Sequence, residues 1–99
     1  RVLFRSASRA GVHALEAVGN YVQLHGEKSR HLLRATLAAT EARLDPRRFV
    51  RVHRSWIVNL DHVREARTAS RGAWVLSTRG GLDVPVGAQY REALARILG

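Results

Sequence analysis

The stretch Phe49-Val50-Arg51-Val52-His53-Arg54-Ser55-Trp56-Ile57-Val58-Asn59-Leu60 sets two runs rich in β-branched and aromatic residues on either side of a polar triplet. Such side chains suit the pleated, half-buried surface of a strand. Two strands are therefore expected, with a bend between them that carries His53-Arg54-Ser55 to the edge of the fold. Working upstream, Leu37, Thr40, Glu41 and Leu44 fall at helical spacing in a segment rich in Ala, Leu, Glu and Arg, and Asp45-Pro46 stops it. This predicts one short helix over residues 36–44. Earlier still, residues 12–18 read as extended, Gly19-Asn20 as a turn and Tyr21-Val22-Gln23-Leu24 as a strand. A polar loop at 25–30 then leads into His31-Leu32-Leu33, which closes a hairpin, and Val2-Leu3-Phe4 predicts one more short strand.

Downstream, residues 63–66 and 74–77 predict a hairpin across Ser70-Arg71-Gly72. Arg79-Gly80-Gly81 turns the chain into Leu82-Asp83-Val84-Pro85-Val86. Pro85 has no amide hydrogen to donate to a ladder, so this strand is expected at a sheet edge. Tyr90, Leu94, Ile97 and Leu98 then form one apolar stripe at helical spacing and predict a closing helix. The expected fold is mainly β with two short helices, one domain over residues 1–99.

The chain has 99 residues, 17 Lys and Arg against 8 Asp and Glu, and a formal net charge of +9. With 45% hydrophobic residues it can bury a core, which argues against a disordered basic tail. No apolar run approaches the roughly 20 residues that cross a bilayer as a helix. The absence of cysteine excludes disulfides, thiolate metal sites and thiol nucleophiles. A first residue of Arg1, without a charged-then-apolar leader, reads as a domain cut from a longer protein. Sixteen of the 17 cations are arginine, Lys28 being the one lysine. Arginine suits phosphate because its planar fork donates two parallel hydrogen bonds.

Catalytic constellations are poorly represented. Gly80-Gly81 lacks the Lys-Ser/Thr and following helix of a phosphate loop and reads as a turn. The five histidines lack the i, i+4 pairing of helical zinc sites, and His53 and Ser55 have no orienting acid beside them. No enzyme activity, metal or cofactor is expected. Recognition of an anion remains, with cations at Lys28 and Arg30, from Arg47 to Arg54, from Arg64 to Arg71, and at Arg91 and Arg96. Neither predicted helix is basic on one face, so loops are the expected reading elements. Phe49, Trp56, Ile57 and Val58 read as core residues, and Asn59 as a buried side chain that satisfies backbone groups. His53 keeps two readings, a structural hydrogen bond or a place near phosphate.

Residues 49–60 resemble the signature of the LytTR family of bacterial DNA-binding domains, approximately Phe-x-Arg-(Ile/Val)-His-(Arg/Lys)-Ser-(aromatic)-(Ile/Leu)-Val-Asn. Glu16-Ala17-Val18-Gly19-Asn20-Tyr21-Val22 is similar to the family's Glu-Ala-x-x-Asn-Tyr-Val. Thr36-Leu37, Leu44-Asp45-Pro46 and Val84-Pro85-Val86 ahead of Tyr90 also fit, so the resemblance covers about residues 12–98. It implies elongated antiparallel β-sheets with a helix alongside, and loops that enter successive major grooves. It implies further that the domain is the C-terminal part of a cytoplasmic transcription regulator with an N-terminal receiver or sensor. The implied partner is double-stranded DNA in paired direct repeats, occupied by two independent domains or by a homodimer, with no membrane contact from this segment.

Carried over by position, the resemblance puts Asn20 and Arg54 at base edges, with His53 and Ser55 near the backbone. A third family contact commonly reads Val-Ser-Arg-Arg-Tyr, and here the chain has Val86-Gly87-Ala88-Gln89-Tyr90. Gln89 becomes the expected base contact there. Lys28, Arg30, Arg51 and Arg91 are the remaining expected backbone contacts. The competing expectation is a protein-interaction module that has lost DNA reading and docks an acidic partner through the sheet edge near Pro85 or the Arg64–Arg71 hairpin.

Overall fold

The computed structural model describes residues 11–26 and 30–98. The strand expected at residues 2–4 and the residue Lys28 lie outside them. Strands β1 (Val12–Val18), β2 (Tyr21–Gly26), β3 (Arg30–Arg34), β4 (Phe49–His53) and β5 (Trp56–Asn59) form an antiparallel sheet in the order β3-β2-β1-β5-β4. A second antiparallel sheet, β6-β7-β8, is built from β6 (Val63–Thr68), β7 (Trp74–Thr78) and β8 (Asp83–Val86). Pro85 sits on edge strand β8, as its missing donor requires.

Side chains alternate across the larger sheet, and each of its faces has a core. On one face Leu15, Val22, Leu24, Phe49 and Ile57 pack against Leu37 of helix α1 (Leu37–Glu41). On the other, Ala14, Val50, Val52 and Val58 pack against Leu76 and Val84 of the smaller sheet and against Ala93 and Leu94 of helix α2 (Glu92–Leu98). Burying each Leu, Ile or Val contributes about 1.5–3 kcal/mol, so these two clusters dominate the stability. Bulges adjust the alternation in two places. Between Arg51 and His53 the pairing with β5 shifts by one residue, which sets His53 opposite Trp56. A similar shift between Val12 and Ala14 accompanies the burial of His13, whose ring stacks on that of His62 at 4.3 Å.

The first helix is shorter than residues 36–44. Thr36 caps it, its Oγ1 accepting from the Ala39 amide at 3.1 Å. Past Glu41 the amides of Arg43 and Leu44 bond to the carbonyls three residues back, Thr40 and Glu41, which tightens the chain into turns before Pro46. The closing segment also divides. Tyr90 belongs to a 3-10 turn, Ala88–Tyr90, and α2 buries Ala93 and Leu94 while Leu98 stays exposed.

Asn59 is fully buried and ties the two ends of the central strands. Its Nδ2 donates to the Val12 carbonyl at 2.8 Å, and its Oδ1 accepts from the Asp61 amide at 3.0 Å. That second bond caps the 3-10 turn Leu60–His62, which leads from the larger sheet to the smaller one.

Candidate nucleic-acid interface

Strand register brings distant polar residues to one edge of the larger sheet. Val18 pairs with Tyr21, Tyr21 with Arg34, Glu16 with Trp56 and His53 with Trp56. The β1–β2 turn with Asn20, the C-terminal end of β3 with Arg34, and the β4–β5 turn with Arg54 therefore share that edge. Gly19 has φ of +60°, the left-handed value that lets β1 reverse in two residues.

Backbone hydrogen bonds lock the turns to one another. The Ala17 amide donates to the Ser55 carbonyl at 2.8 Å, joining the β1–β2 and β4–β5 turns. The Gly87 amide donates to the Val52 carbonyl at 2.8 Å, which anchors the turn after β8 beside the end of β4. A Cβ at position 87 would lie 3.3 Å from Tyr90 Cδ2 and 3.4 Å from His53 Cδ2, so the close approach of the two turns favours glycine there. The first two turns border an open recess of about 580 Å³, lined by Asn20, Tyr21, Arg34, Thr36, Arg51 and Arg54 among others.

Asn20, Arg54 and Gln89 are exposed, each on a different one of the three connected turns. His53 and Ser55 are half-buried, and the Ser55 amide donates to His53 Nδ1 at 3.0 Å, a structural hydrogen bond of the kind that one of the two readings of that histidine requires. Arg91 is exposed and donates to the Gly72 carbonyl at 3.4 Å. Two expected contacts stand differently. Arg30 pairs with His25 at the far end of β3, roughly 13 Å along the strand from Arg34, so it does not join the edge. The guanidinium of Arg51 is engaged inside the chain, with Nε donating to the His53 carbonyl at 2.9 Å and Nη2 to the Arg54 carbonyl at 2.6 Å. Arg34 is the residue that sequence reading missed. Its signal is the hairpin register, which places the last residue of β3 opposite Tyr21, the residue after Asn20.

Charge is distributed unevenly around the molecule. Carboxylates face Arg47 (Asp45), Arg48 (Asp61), Arg51 (Glu41) and Arg67 (Asp83) at 3.1–3.3 Å. The Arg47 amide and guanidinium hold the Asp45 carboxyl below its ordinary value, and Arg67, with Ser77, does the same for Asp83. Among the described residues the Arg34 and Arg54 side chains have no carboxylate partner. The edge thus presents uncompensated positive charge beside amide side chains, the pairing that holds phosphate and reads bases. Among the described residues, no helix is long and apolar enough to cross a membrane, and no three metal-liganding side chains converge.

The mainly antiparallel scaffold offers Arg and Asn from connected turns, and sequence comparison identifies the family. The profile of the LytTr DNA-binding domain matches residues 8–99, and the chain belongs to the LytTR family. It is 44% identical over 91 residues to the CO-responsive transcriptional regulator RcoM of Rhodospirillum rubrum, covering 91% of this chain and 37% of that protein. It is 36% identical over 81 residues to the transcriptional regulatory protein BtsR of Escherichia coli, covering 82% of this chain and 32% of the relative. The chain therefore spans about a third of the length of these regulators. A solved LytTr DNA-binding domain from Bacillus cereus superposes with a TM-score of 0.82 at 29% identity, covering 91% of this chain and 83% of the other. The architecture and element order expected from the sequence are those of this family.

Proposed function

We propose that this chain is the output domain of a longer bacterial transcription regulator and reads double-stranded DNA by sequence, its turns entering successive major grooves. The observation that carries this reading is the convergence of Asn20, Arg34 and Arg54, from separate strands, on one uncompensated edge. Arg54 reads guanine through O6 and N7, while Asn20 and Gln89 read adenine through N6 and N7, the pairings that major-groove geometry favours. Arg34 and Arg91 hold phosphates on either side and set the register, with His53 and Ser55 against the backbone. Family membership supports DNA as the partner, and paired direct repeats occupied by two copies are the proposed operator form. The acidic-partner reading has less support, because Arg67 in the Arg64–Arg71 hairpin is already neutralised by Asp83.

The test is selection of a random duplex pool by the domain at about 0.15 M salt, where specific sites typically exceed non-specific ones by about 10³-fold or more. The expected result is a short enriched motif. Replacing Arg54 by Ala should then cost about 1–3 kcal/mol on the selected site and much less on scrambled DNA. Salt-sensitive binding with no enriched motif would overturn the reading.

A further inference from the structure

Arg51 stands on β4 three residues before Arg54, with its side chain only 20% exposed. Its guanidinium spans three parts of the molecule. Nε and Nη2 donate to the carbonyls of His53 and Arg54, so both bonds grip the backbone of the β4–β5 turn itself. Nη1 donates to Glu41 Oε1 on α1 at 3.3 Å, and the guanidinium carbon lies 5.9 Å from the ring centroid of Tyr90, in the 3-10 turn that also carries Gln89. The bulge between Arg51 and His53 interrupts the ladder at this point. The guanidinium supplies fixed donors to carbonyls beyond that interruption. A tight turn held by two side-chain donors, an ion pair and a cation–π contact loses much of its freedom to reorient.

We infer that Arg51 is a positioning residue: it fixes the β4–β5 turn so that the Arg54 side chain leaves the edge in one direction, and it ties that turn to Tyr90 and the third turn. The inference rests on the proposed role of Arg54 as a base contact and assigns Arg51 no contact with phosphate. Arginine is required because only a planar fork bridges two carbonyls and a carboxylate at once, whereas a lysine ammonium is a single point of charge.

The decisive variant is Arg51→Lys, which keeps the charge and removes the fork. On the selected duplex its affinity relative to scrambled DNA should fall roughly tenfold, most of what one good bidentate base contact supplies. In an Arg54→Ala background the same change should cost clearly less than it does alone, because the main group being positioned is gone, and an equal loss in both backgrounds overturns the inference. A phosphate contact behaves otherwise. Lysine would preserve it, and Arg51→Ala would weaken all duplexes alike and lower the salt slope by about 0.9.

Two further measurements hold if Arg51 variants fold poorly or if no DNA motif is found. Glu41→Gln on α1 removes the carboxylate that anchors Nη1. On charge alone it would tighten binding to every duplex alike and leave selectivity as it was, so a twofold or greater fall in selectivity supports the clamp and anything less overturns it. In the DNA-free domain, backbone order parameters at Arg54 and Ser55 should drop from about 0.85 toward 0.6 in Arg51→Lys. An enriched motif with Arg51→Lys unchanged in selectivity and in order parameters refutes the clamp alone. A wild-type domain that enriches no motif refutes the base-reading role of the edge instead, whatever the relaxation data give.

Discussion

Asn59 belongs to the signature stretch, yet the structure gives it work inside the fold, and this can be separated from DNA contact by substitution. Asn59→Ala removes a donor and an acceptor together. The Val12 carbonyl loses its buried bond from Nδ2, and the Asp61 amide loses the oxygen that caps the 3-10 turn. A buried polar group left unsatisfied costs about 1–3 kcal/mol. Loss of a side-chain cap costs about 1 kcal/mol. Together these predict a loss of about 2–4 kcal/mol, a large share of the roughly 5–15 kcal/mol typical of a folded domain. For a domain of this size it should lower the melting temperature by at least about 10 °C, read by circular dichroism and checked by urea titration. Asn59→Asp sharpens the test. Its carboxylate still accepts from the Asp61 amide but faces the Val12 carbonyl with a second acceptor, so at pH 7 it should be as harmful as alanine. Burial raises the folded-state pKa of such an acid above its unfolded value, so the stability gained on protonation is present at low pH and lost as pH rises through the folded pKa. The deficit of Asn59→Asp should therefore narrow from pH 7 to pH 5, while that of Asn59→Ala does not. A loss below about 1 kcal/mol for Asn59→Ala, with selective DNA affinity lost at full folding, would refute this account and make Asn59 a contact residue.

Three other outcomes follow from the geometry. A Cβ at Gly80 would lie 2.5 Å from His13 Cε1, and His13 is buried and stacked on His62, so Gly80→Ala should destabilise the fold by about 1–3 kcal/mol; an unchanged urea midpoint contradicts this. Arg34→Ala should weaken selected and scrambled duplexes equally and reduce the salt slope by about 0.9, and an unchanged slope removes Arg34 from the phosphate contacts. The hydrogen bonds from Arg67 and then Ser77 lower the Asp83 pKa, so this pairing stabilises the fold above pH 3.8 and is lost as pH falls through the folded value. A carboxyl-carbon titration by NMR should give a midpoint below 3.8 that moves upward in Arg67→Ala, and a wild-type midpoint at 3.8 or higher contradicts it.

Most strands were legible in the sequence as short runs holding β-branched or aromatic residues between turn residues, whereas β3, Arg30–Arg34, was read from Leu32 and Leu33 after a polar loop, and alternation sorts the side chains between the two cores. The first helix was overestimated because turns built on i−3 bonds keep nearly the same side-chain spacing, so periodicity alone does not mark where Glu41 ends the helix. At the candidate interface, Arg54 stood out as part of a polar break while Asn20 was assigned through the resemblance to the family's Asn-Tyr-Val segment, and both lie on exposed turns of the shared edge. The place of Arg34 and the internal bonds of Arg51 were not visible, for a different reason. Arg34 reaches the edge only through the β2–β3 register, and Arg51 is withdrawn from solvent by Glu41 and Tyr90, which lie 10 and 39 positions away in the chain. Pairings across such distances depend on the finished sheet and leave no local mark.

The position of the charge matters more than its sum. A net charge of +9 would draw any polyanion to the whole surface, yet carboxylates meet the arginines at 47, 48, 51 and 67, while Arg34 and Arg54 have no carboxylate partner among the described residues. Arg34 and Arg54 keep their full field at the edge. On the proposed reading this arrangement orients a duplex before contact: within the roughly 8–10 Å over which charge is felt at physiological salt, a paired guanidinium and carboxylate nearly cancel, whereas Arg34 and Arg54 do not. On the same reading, the bases are met by groups on turns whose geometry is fixed by hydrogen bonds within the protein. That division is compatible with a third turn in which Ala88 and Gln89 stand where the family pattern has two arginines. On the proposed reading, recognition at the third turn passes to Gln89, an amide whose selectivity would depend on how firmly Tyr90 and Arg51 hold the turn beneath it, while Gly87, at the position of the family's serine, allows the close approach to His53.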